Sequence, residues 1–161
     1  MARIYTAYLT APAPFGVIRL EGHDGGITSI DLNQQASAVD AGVSHPLLER
    51  CRKQLEGYFQ GQRQTFDVPL AAEGTAFQHQ VWAALREIPF GETTSYGAIA
   101  SALGKPAASR AVGMANGRNP LPIVVPCHRV IGANGQLTGY SGGLACKRWL
   151  LEHEQGINRL T

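Results

Sequence analysis

The sequence predicts an α+β fold: a small N-terminal α/β domain with a short antiparallel sheet, then a mostly helical C-terminal domain. Three observations carry that prediction. Short β-prone segments separated by turn residues fill positions 3–33. Apolar residues recur at helical spacing after position 75. Between them Ala71-Ala72-Glu73-Gly74 has the composition of a linker, which divides the chain into residues 1–72 and 73–161. At 161 residues the chain is long enough for one ordinary domain or two small ones.

In the first part, Tyr5-Thr6-Ala7-Tyr8-Leu9 and Val17-Ile18-Arg19-Leu20 read as strands. Gly25-Gly26 turns the chain before a third strand, Ile27-Thr28-Ser29-Ile30. Residues 34–44 read as a loop. An amphipathic helix over about 46–60 carries Leu47, Leu48, Cys51, Leu55, Tyr58 and Phe59 on one face. Cys51 belongs to that stripe and is expected in the core. Phe66-Asp67-Val68-Pro69-Leu70 reads as a short strand or an extended exit.

The second part opens on Thr75 with Gln78 three residues on, the pattern of a capping box. Phe77, Val81, Trp82, Leu85 and Ile88 make the apolar stripe of the helix that follows, and Pro89-Phe90-Gly91 ends it. Another helix starts at Ser95 with Ile99, Ala100 and Leu103 inward, and Gly104 suits its C′ position. Pro106 is expected at N1 of a third helix, about 106–116. Two short helices joined through a glycine form a helix-turn-helix pattern, which occurs with and without DNA binding. The third helix is lined by Ala107, Ala108, Ser109, Ala111, Gly113 and Ala115 and interrupted by Arg110. Such a thin surface lets a backbone approach another helix or a nucleic-acid groove. Asn119-Pro120-Leu121-Pro122 is a rigid loop, 123–131 is strand-like, Gly132–Gly135 a turn and Thr138–Gly143 a Gly-rich loop. A last helix covers about 144–155.

Bulk properties narrow the function. Hydrophobic content is 44% and charged content 16%, so the composition supports a core. No apolar run approaches the roughly 20 residues that span a bilayer, and Met1–Tyr5 lacks the apolar stretch of a signal peptide. Three cysteines without a Cys-x-x-Cys pair argue against a disulfide framework or zinc finger, and fit a reducing, cytoplasmic setting. Charge is uneven. Residues 1–104 hold seven Lys/Arg and ten Asp/Glu, a net of −3; residues 105–161 hold seven and two, a net of +5. A basic C-terminal part suits a polyanionic partner.

The chemistry centres on Pro126-Cys127-His128-Arg129-Val130. A thiol attacks as thiolate, and the adjoining imidazole and guanidinium are expected to lower its pKa. A cysteine nucleophile needs a base and an orienter for it. His128 is the nearest base, although neighbours in an extended strand face opposite ways, so contact requires a bend or a water. Glu152 and Glu154 are the only acids in the basic part, and spacing alone does not choose between them. A helix pair, a smooth helix with one arginine and a buried thiol together suggest chemistry on a DNA base, which must first leave the stack. Arg110 is the residue on its helix long enough to fill the gap.

These residues, with Arg110-Ala111-Val112-Gly113, Asn119-Pro120 and Gly139-Tyr140-Ser141-Gly142-Gly143, resemble the O6-alkylguanine-DNA alkyltransferase family, the methylated-DNA–protein-cysteine methyltransferases. The resemblance runs through about 75–155 and is looser before that. It implies a helix-turn-helix of winged-helix type that binds the minor groove. It also implies direct-reversal DNA repair, in which Cys127 accepts the alkyl group from O6-alkylguanine, and O4-alkylthymine, in one irreversible transfer. It assigns His128 as the base acting through water, Glu154 as its orienter, Asn119 as the brace of the active-site turn and Tyr96 as the aid to base flipping and proton donor. It implies DNA contacts by Arg110, Tyr96, Lys105, Ala111, Gly113 and Ala115, and a lesion-base pocket of Pro122, Val130, Tyr140, Ser141 and Gly142. No cofactor is implied; the partner is double-stranded DNA carrying O6-alkylguanine, met by a monomer. Some family members hold zinc in the N-terminal domain through two Cys and two His; here only Cys51, His23 and His45 are present, and no metal is expected. Cys146 is expected to pack. Three other readings compete: a lesion-binding sensor, a transcriptional regulator and a turning-over cysteine hydrolase. The sensor lacks the nucleophile, which Cys127 supplies here. The regulator would need a further domain, and the hydrolase an oxyanion hole.

Overall fold

A computed structural model describes residues 3–34, 45–140 and 142–160. The chain forms two compact units, Met1–Glu73 and Gly74–Thr161.

In the first unit, β1 (Tyr5–Ala11), β2 (Gly16–His23) and β3 (Gly26–Gln34) form an antiparallel sheet in the order β1-β2-β3. The strands extend past their β-prone cores because each edge residue completes a ladder, as in Tyr5 opposite Gly22 and Ala11 opposite Gly16. At the second turn Gly26 has φ 147, a conformation that disfavours a side chain, and an added Cβ there would lie 2.7 Å from the Pro69 carbonyl oxygen. Helix α1 (Pro46–Phe59) covers the sheet with Leu48, Cys51, Leu55 and Tyr58, all fully buried. The expected loop at 34–44 lies, after its first residue, outside the described residues. Residues 66–70 are an extended exit rather than a strand: a single parallel bridge joins Leu70 to Ile27, with Ala71 N–H donating to the Ile27 carbonyl at 2.8 Å.

The histidines and the cysteine of this unit have local structural roles. His45 Nδ1 accepts from Leu47 N–H as the N-cap of α1, and its Nε2 lies 3.0 Å from Asp24. His23 accepts from Gly25 N–H at 2.9 Å. Cys51 is buried in the α1 stripe, and burial pushes its thiol up to about 12.

The second unit is built on α2 (Ala76–Arg86), α3 (Tyr96–Ala102) and α4 (Ser109–Gly117), which pack on one another through Val81, Trp82, Leu85, Ile99, Ala100 and Val112. Fully burying residues such as Leu85 and Val112 is worth about 1.5–3 kcal/mol each. The capping box at Thr75 forms in both directions: Gln78 N–H donates to Thr75 Oγ1, and Thr75 N–H donates to Gln78 Oε1. Ser95 caps α3 by accepting from Ala98 N–H at 3.1 Å. At the other end Gly104 (φ 72) donates to Ser101 and Lys105 donates to Ala100, the paired bonds that close a helix through a left-handed residue.

Two sequence expectations are corrected in this unit. Helix α4 begins at Ser109, not at Pro106. Lys105–Ala108 instead forms a turn closed by Ala108 N–H to the Lys105 carbonyl at 2.9 Å, with Pro106 at the second position, where its fixed φ is favoured. Residues 123–131 are not a strand. Ile123 has φ 76, and Val125 N–H turns back to the Leu121 carbonyl at 2.8 Å. A 3-10 turn then spans Cys127–Arg129, and only Val130–Ile131 is extended, as β5. β5 pairs in parallel with β4 (Thr94–Ser95), and α5 (Leu144–Leu160) packs against the cysteine turn.

Candidate active site

The cysteine sits on a strained and braced loop. A β-branched residue at positive φ, as at Ile123, costs about 1–3 kcal/mol and persists only where its surroundings impose it. Asn119 imposes it here. Its Oδ1 accepts from Leu121 N–H at 2.9 Å and its Nδ2 donates to the Val125 carbonyl at 2.8 Å, so one carboxamide ties both arms of the turn. Cys127 N–H donates to the Val125 carbonyl at 2.7 Å. The bend turns Cys127 and His128 along a 3-10 turn, which removes the opposite-face geometry of a strand.

Cys127 is buried, and burial pushes its thiol from 9.0 up to about 11. A hydrogen bond from Asn119 and the Lys147 charge oppose that rise. Here the structure corrects the sequence reading: the adjoining imidazole and guanidinium do not lower the thiol pKa. Both are committed to Glu154. His128 Nε2 lies 2.7 Å from Glu154 Oε2, Arg129 Nε donates to Oε1 at 2.8 Å and Arg129 Nη2 to Oε2 at 3.0 Å. Gly91 N–H also donates to Glu154 Oε1 at 3.2 Å, and Arg129 Nη1 donates to the Ile88 carbonyl at 2.7 Å. Glu154 is 1% exposed, yet its carboxyl is held well below the usual range by His128 and Arg129 against the cost of burial. A buried carboxylate is stable in this way only when paired and hydrogen-bonded. Glu152, by contrast, is exposed.

His128 is fully buried and its pKa is lowered, chiefly by desolvation, so the ring is neutral near pH 7. A carboxylate can only accept, so Nε2 carries the proton and Nδ1 keeps its lone pair. Nδ1 is buried and has no hydrogen-bond partner among the described protein groups. The arrangement is a thiol, a neutral imidazole with its basic nitrogen free, and an ionised carboxylate fixing the tautomer.

The remaining expected residues fall around this core. Tyr96, first residue of α3, is half-buried; its ring lies against Gly113 of α4 and its hydroxyl contacts Thr138 Oγ1. Arg110 is exposed and makes no hydrogen bond or ion pair among the described residues. Ala111 is exposed beside it and Gly113 half-buried. Ala115 is a correction: it is 3% exposed, and its carbonyl accepts from Trp82 Nε1 at 2.9 Å, so it faces the core and Met114 (64% exposed) occupies the outer surface. Lys105 is exposed, its ammonium 5.1 Å from the Phe77 ring centre. Pro122 and Val130 are buried, Gly142 is half-buried, and the Tyr140 hydroxyl is buried without a partner among the described groups. Ser141 lies outside the described residues. Cys146 is buried on α5.

Sequence reasoning missed Lys147 and Thr138. Lys147 is fully buried and donates to the Val130 carbonyl at 2.7 Å and to Thr138 O and Oγ1 at 3.3 and 3.2 Å. Its position in the apolar stripe of α5, in line with Leu150 and Leu151, is the signal that spacing offered.

A mostly helical unit with a helix-turn-helix, carrying a buried Cys/His/Glu constellation on a braced turn, is the class of protein that the fold and site define. Residues 76–156 match the 6-O-methylguanine DNA methyltransferase DNA-binding domain, and residues 4–72 match the ribonuclease-like domain of the same protein family. The chain belongs to the 6-O-methylguanine DNA methyltransferase family. It is 48% identical over 151 residues to the methylated-DNA–protein-cysteine methyltransferase of Methanosarcina acetivorans, covering 91% of this chain and 97% of that one. It is 47% identical over 155 residues to that of Mycobacterium tuberculosis, with 92% of each covered. The crystal structure of M. tuberculosis OGT in complex with DNA superposes with a TM-score of 0.83 at 46% identity, covering 94% of this chain and 93% of that one. The α+β class expected from sequence is the class of these structures.

Proposed function

We propose that this protein repairs alkylated DNA by direct reversal, moving the alkyl group from O6 of guanine to Cys127 in a single, irreversible transfer. The observation that carries the reading is the buried Cys127 beside a neutral His128 whose tautomer Glu154 fixes, in a chain of this family. Double-stranded DNA is the partner, and α3 and α4 supply the surface, with Arg110 and Ala111 on its exposed side. Chemistry on a base requires its extrusion, and Arg110 is the long side chain positioned to fill the space it leaves.

The steps follow from the site. His128 Nδ1 removes the Cys127 proton through a water, and the developing imidazolium is stabilised by Glu154. The thiolate attacks the alkyl carbon; the S–C bond forms as the C–O6 bond breaks. The departing guanine takes a proton from the Tyr96 hydroxyl, where charge develops. Burial makes the thiol hard to ionise in the free protein, which reserves the thiolate for the moment a substrate fills the site. The thioether has no route back to a thiol, so each molecule acts once. Three cysteine thiols without disulfides suit a reducing compartment, and the proposal places the chain in the cytoplasm as a monomer. Among the described residues no helix is long and apolar enough to cross a membrane.

The deciding experiment supplies duplex DNA with label in the O6-methyl group of guanine. One equivalent of label on Cys127 is expected, and Cys127→Ala should take none. Multiple turnover would point to a hydrolase or transferase that regenerates its thiol. Tight lesion binding without label transfer would point to a sensor.

A further inference from the structure

Lys147 is the buried charge that the transfer scheme leaves unused. Its ammonium is fully buried, and among the described residues no carboxylate lies within ion-pair distance. Its partners are the Val130 carbonyl at 2.7 Å, the Thr138 carbonyl at 3.3 Å and Thr138 Oγ1 at 3.2 Å. Burying a cation against three neutral acceptors is expensive, and burial lowers the Lys147 pKa accordingly. Thr138 Oγ1 in turn contacts the Tyr96 hydroxyl, 42 residues away in sequence and on the helix-turn-helix. Three groups therefore line up from the interior to the rim of the site: Lys147, Thr138, Tyr96.

The chemistry of the first group biases the direction of the line. An ammonium has three donors and no acceptor. All three Lys147 protons have an acceptor here, and one of those acceptors is Thr138 Oγ1. Thr138 Oγ1, while accepting from lysine, keeps one proton to give and one lone pair, so its contact with the Tyr96 oxygen can run in either direction; polarisation by the Lys147 ammonium makes the threonine hydroxyl the better donor of the two. With Thr138 as the donor, Tyr96 accepts inside the protein, and its phenolic proton is directed away, toward whatever base enters.

We propose that Thr138 is a positioning residue, held by Lys147 as a one-way relay that keeps the Tyr96 proton aimed at the departing guanine. The inference rests on the alkyl-transfer reading. As the C–O6 bond breaks, the electron pair goes to guanine, the Tyr96 proton follows it, and the Thr138 hydroxyl stabilises the phenolate oxygen left behind. The Lys147 charge strengthens that donor through Thr138, since linked hydrogen bonds polarise one another.

The test is a double-mutant cycle on single-turnover transfer from O6-methylguanine in duplex DNA, using Thr138→Val, Thr138→Ser, Tyr96→Phe and the Thr138→Val/Tyr96→Phe pair. Valine keeps the shape of threonine and removes the hydroxyl. Thr138→Val should slow transfer about tenfold, the loss of one directed hydrogen bond. Thr138→Ser should recover most of that loss. In the Tyr96→Phe background Thr138→Val should change nothing, because the hydroxyl it served is gone. Alkylation of Cys127 by iodoacetamide, whose iodide leaves without a proton, should proceed at the same rate before and after Thr138→Val. Equal losses in both backgrounds, a parallel loss with iodoacetamide, or no loss on Thr138→Val would overturn the relay. Lys147→Met, where it folds, should reproduce the Thr138→Val loss and its dependence on Tyr96; the threonine cycle decides the matter without it. If the unmodified chain fails to take label at all, the alkyl-transfer reading itself falls. Transfer by the unmodified chain with a neutral Thr138→Val removes only the relay.

Discussion

At the scale of single residues, the site is governed by who is paired with whom. Glu154 is bonded to His128, Arg129 and the Gly91 N–H at once, and fixes both His128 and Arg129. Glu154→Gln should therefore act twice. It should slow transfer by roughly a hundredfold through the lost orientation and stabilisation of the imidazolium. It should also destabilise the fold by about 3 kcal/mol, because Arg129 is left buried without its counter-charge; denaturant melts and single-turnover rates measure the two effects separately. Arg110 behaves differently because it is exposed and makes no hydrogen bond or ion pair among the described residues. Arg110→Ala should weaken transfer from duplex DNA far more than transfer from free O6-alkylguanine, while leaving the melting temperature in place. Equal losses on both substrates would remove the gap-filling role. Spacing does not choose between Glu152 and Glu154, since both flank His153 on one helix. The turn that carries His128, and the packing of α5 against it, make the choice.

At the scale of elements, local rules suffice where a segment's partners lie within a turn of it. Thr75 with Gln78, Ser95 before α3 and Gly104 after it are short-range hydrogen-bond devices, and each forms as the sequence predicts. Thr75→Ala should cost about 1 kcal/mol of stability with no change in the transfer rate, by thermal melts and label uptake. Pro106 misleads because a proline fits the second position of a turn as well as the first of a helix. Apolar residues 123–125 mislead because a buried run reads as a strand, and periodicity says nothing of an asparagine four residues earlier that pulls the run into a turn. That turn is tight, with Ile123 at positive φ and Cys127 4% exposed. Adding an alkyl group to Cys127 overpacks it. The alkylated protein should be about 1–3 kcal/mol less stable than the free form, and equal melting temperatures would contradict this.

At the scale of the molecule, the buried titratable groups set limits on both sides of neutral pH. His128 is held below its ordinary 6.5, so its contribution is present above that value and declines as pH falls, the unfolded chain taking up the proton first. Glu154 is held below its ordinary 4.5; its contribution is present above 4.5 and is lost as pH falls further through its depressed value. Cys127 has the opposite sign: raised from 9.0 to about 11, it contributes below 9.0 and loses that contribution as pH rises toward about 11. Stability should therefore plateau between about 6.5 and 9. Cys127→Ala should flatten part of the alkaline limb; Cys51, raised to about 12, and the raised Cys146 and Tyr140 contribute in the same sense, while Lys147, lowered by burial, works against them. Chemical denaturation across pH measures both limbs.

The sequence by itself determined the α+β class, the caps of α2 and α3, and the run that sets Cys127 beside His128 and Arg129, because each is written in neighbours a few residues apart. The tertiary structure alone decided which charges meet the thiol. Arg129 lies two positions from Cys127 in sequence yet turns to Glu154, 25 positions on, while Lys147, 20 positions from the cysteine, supplies the charge that acts on it. Thr138 and Tyr96 likewise meet across 42 positions. Electrostatic interaction depends on distance through space and on burial; neither is a function of separation along the chain until the fold is made.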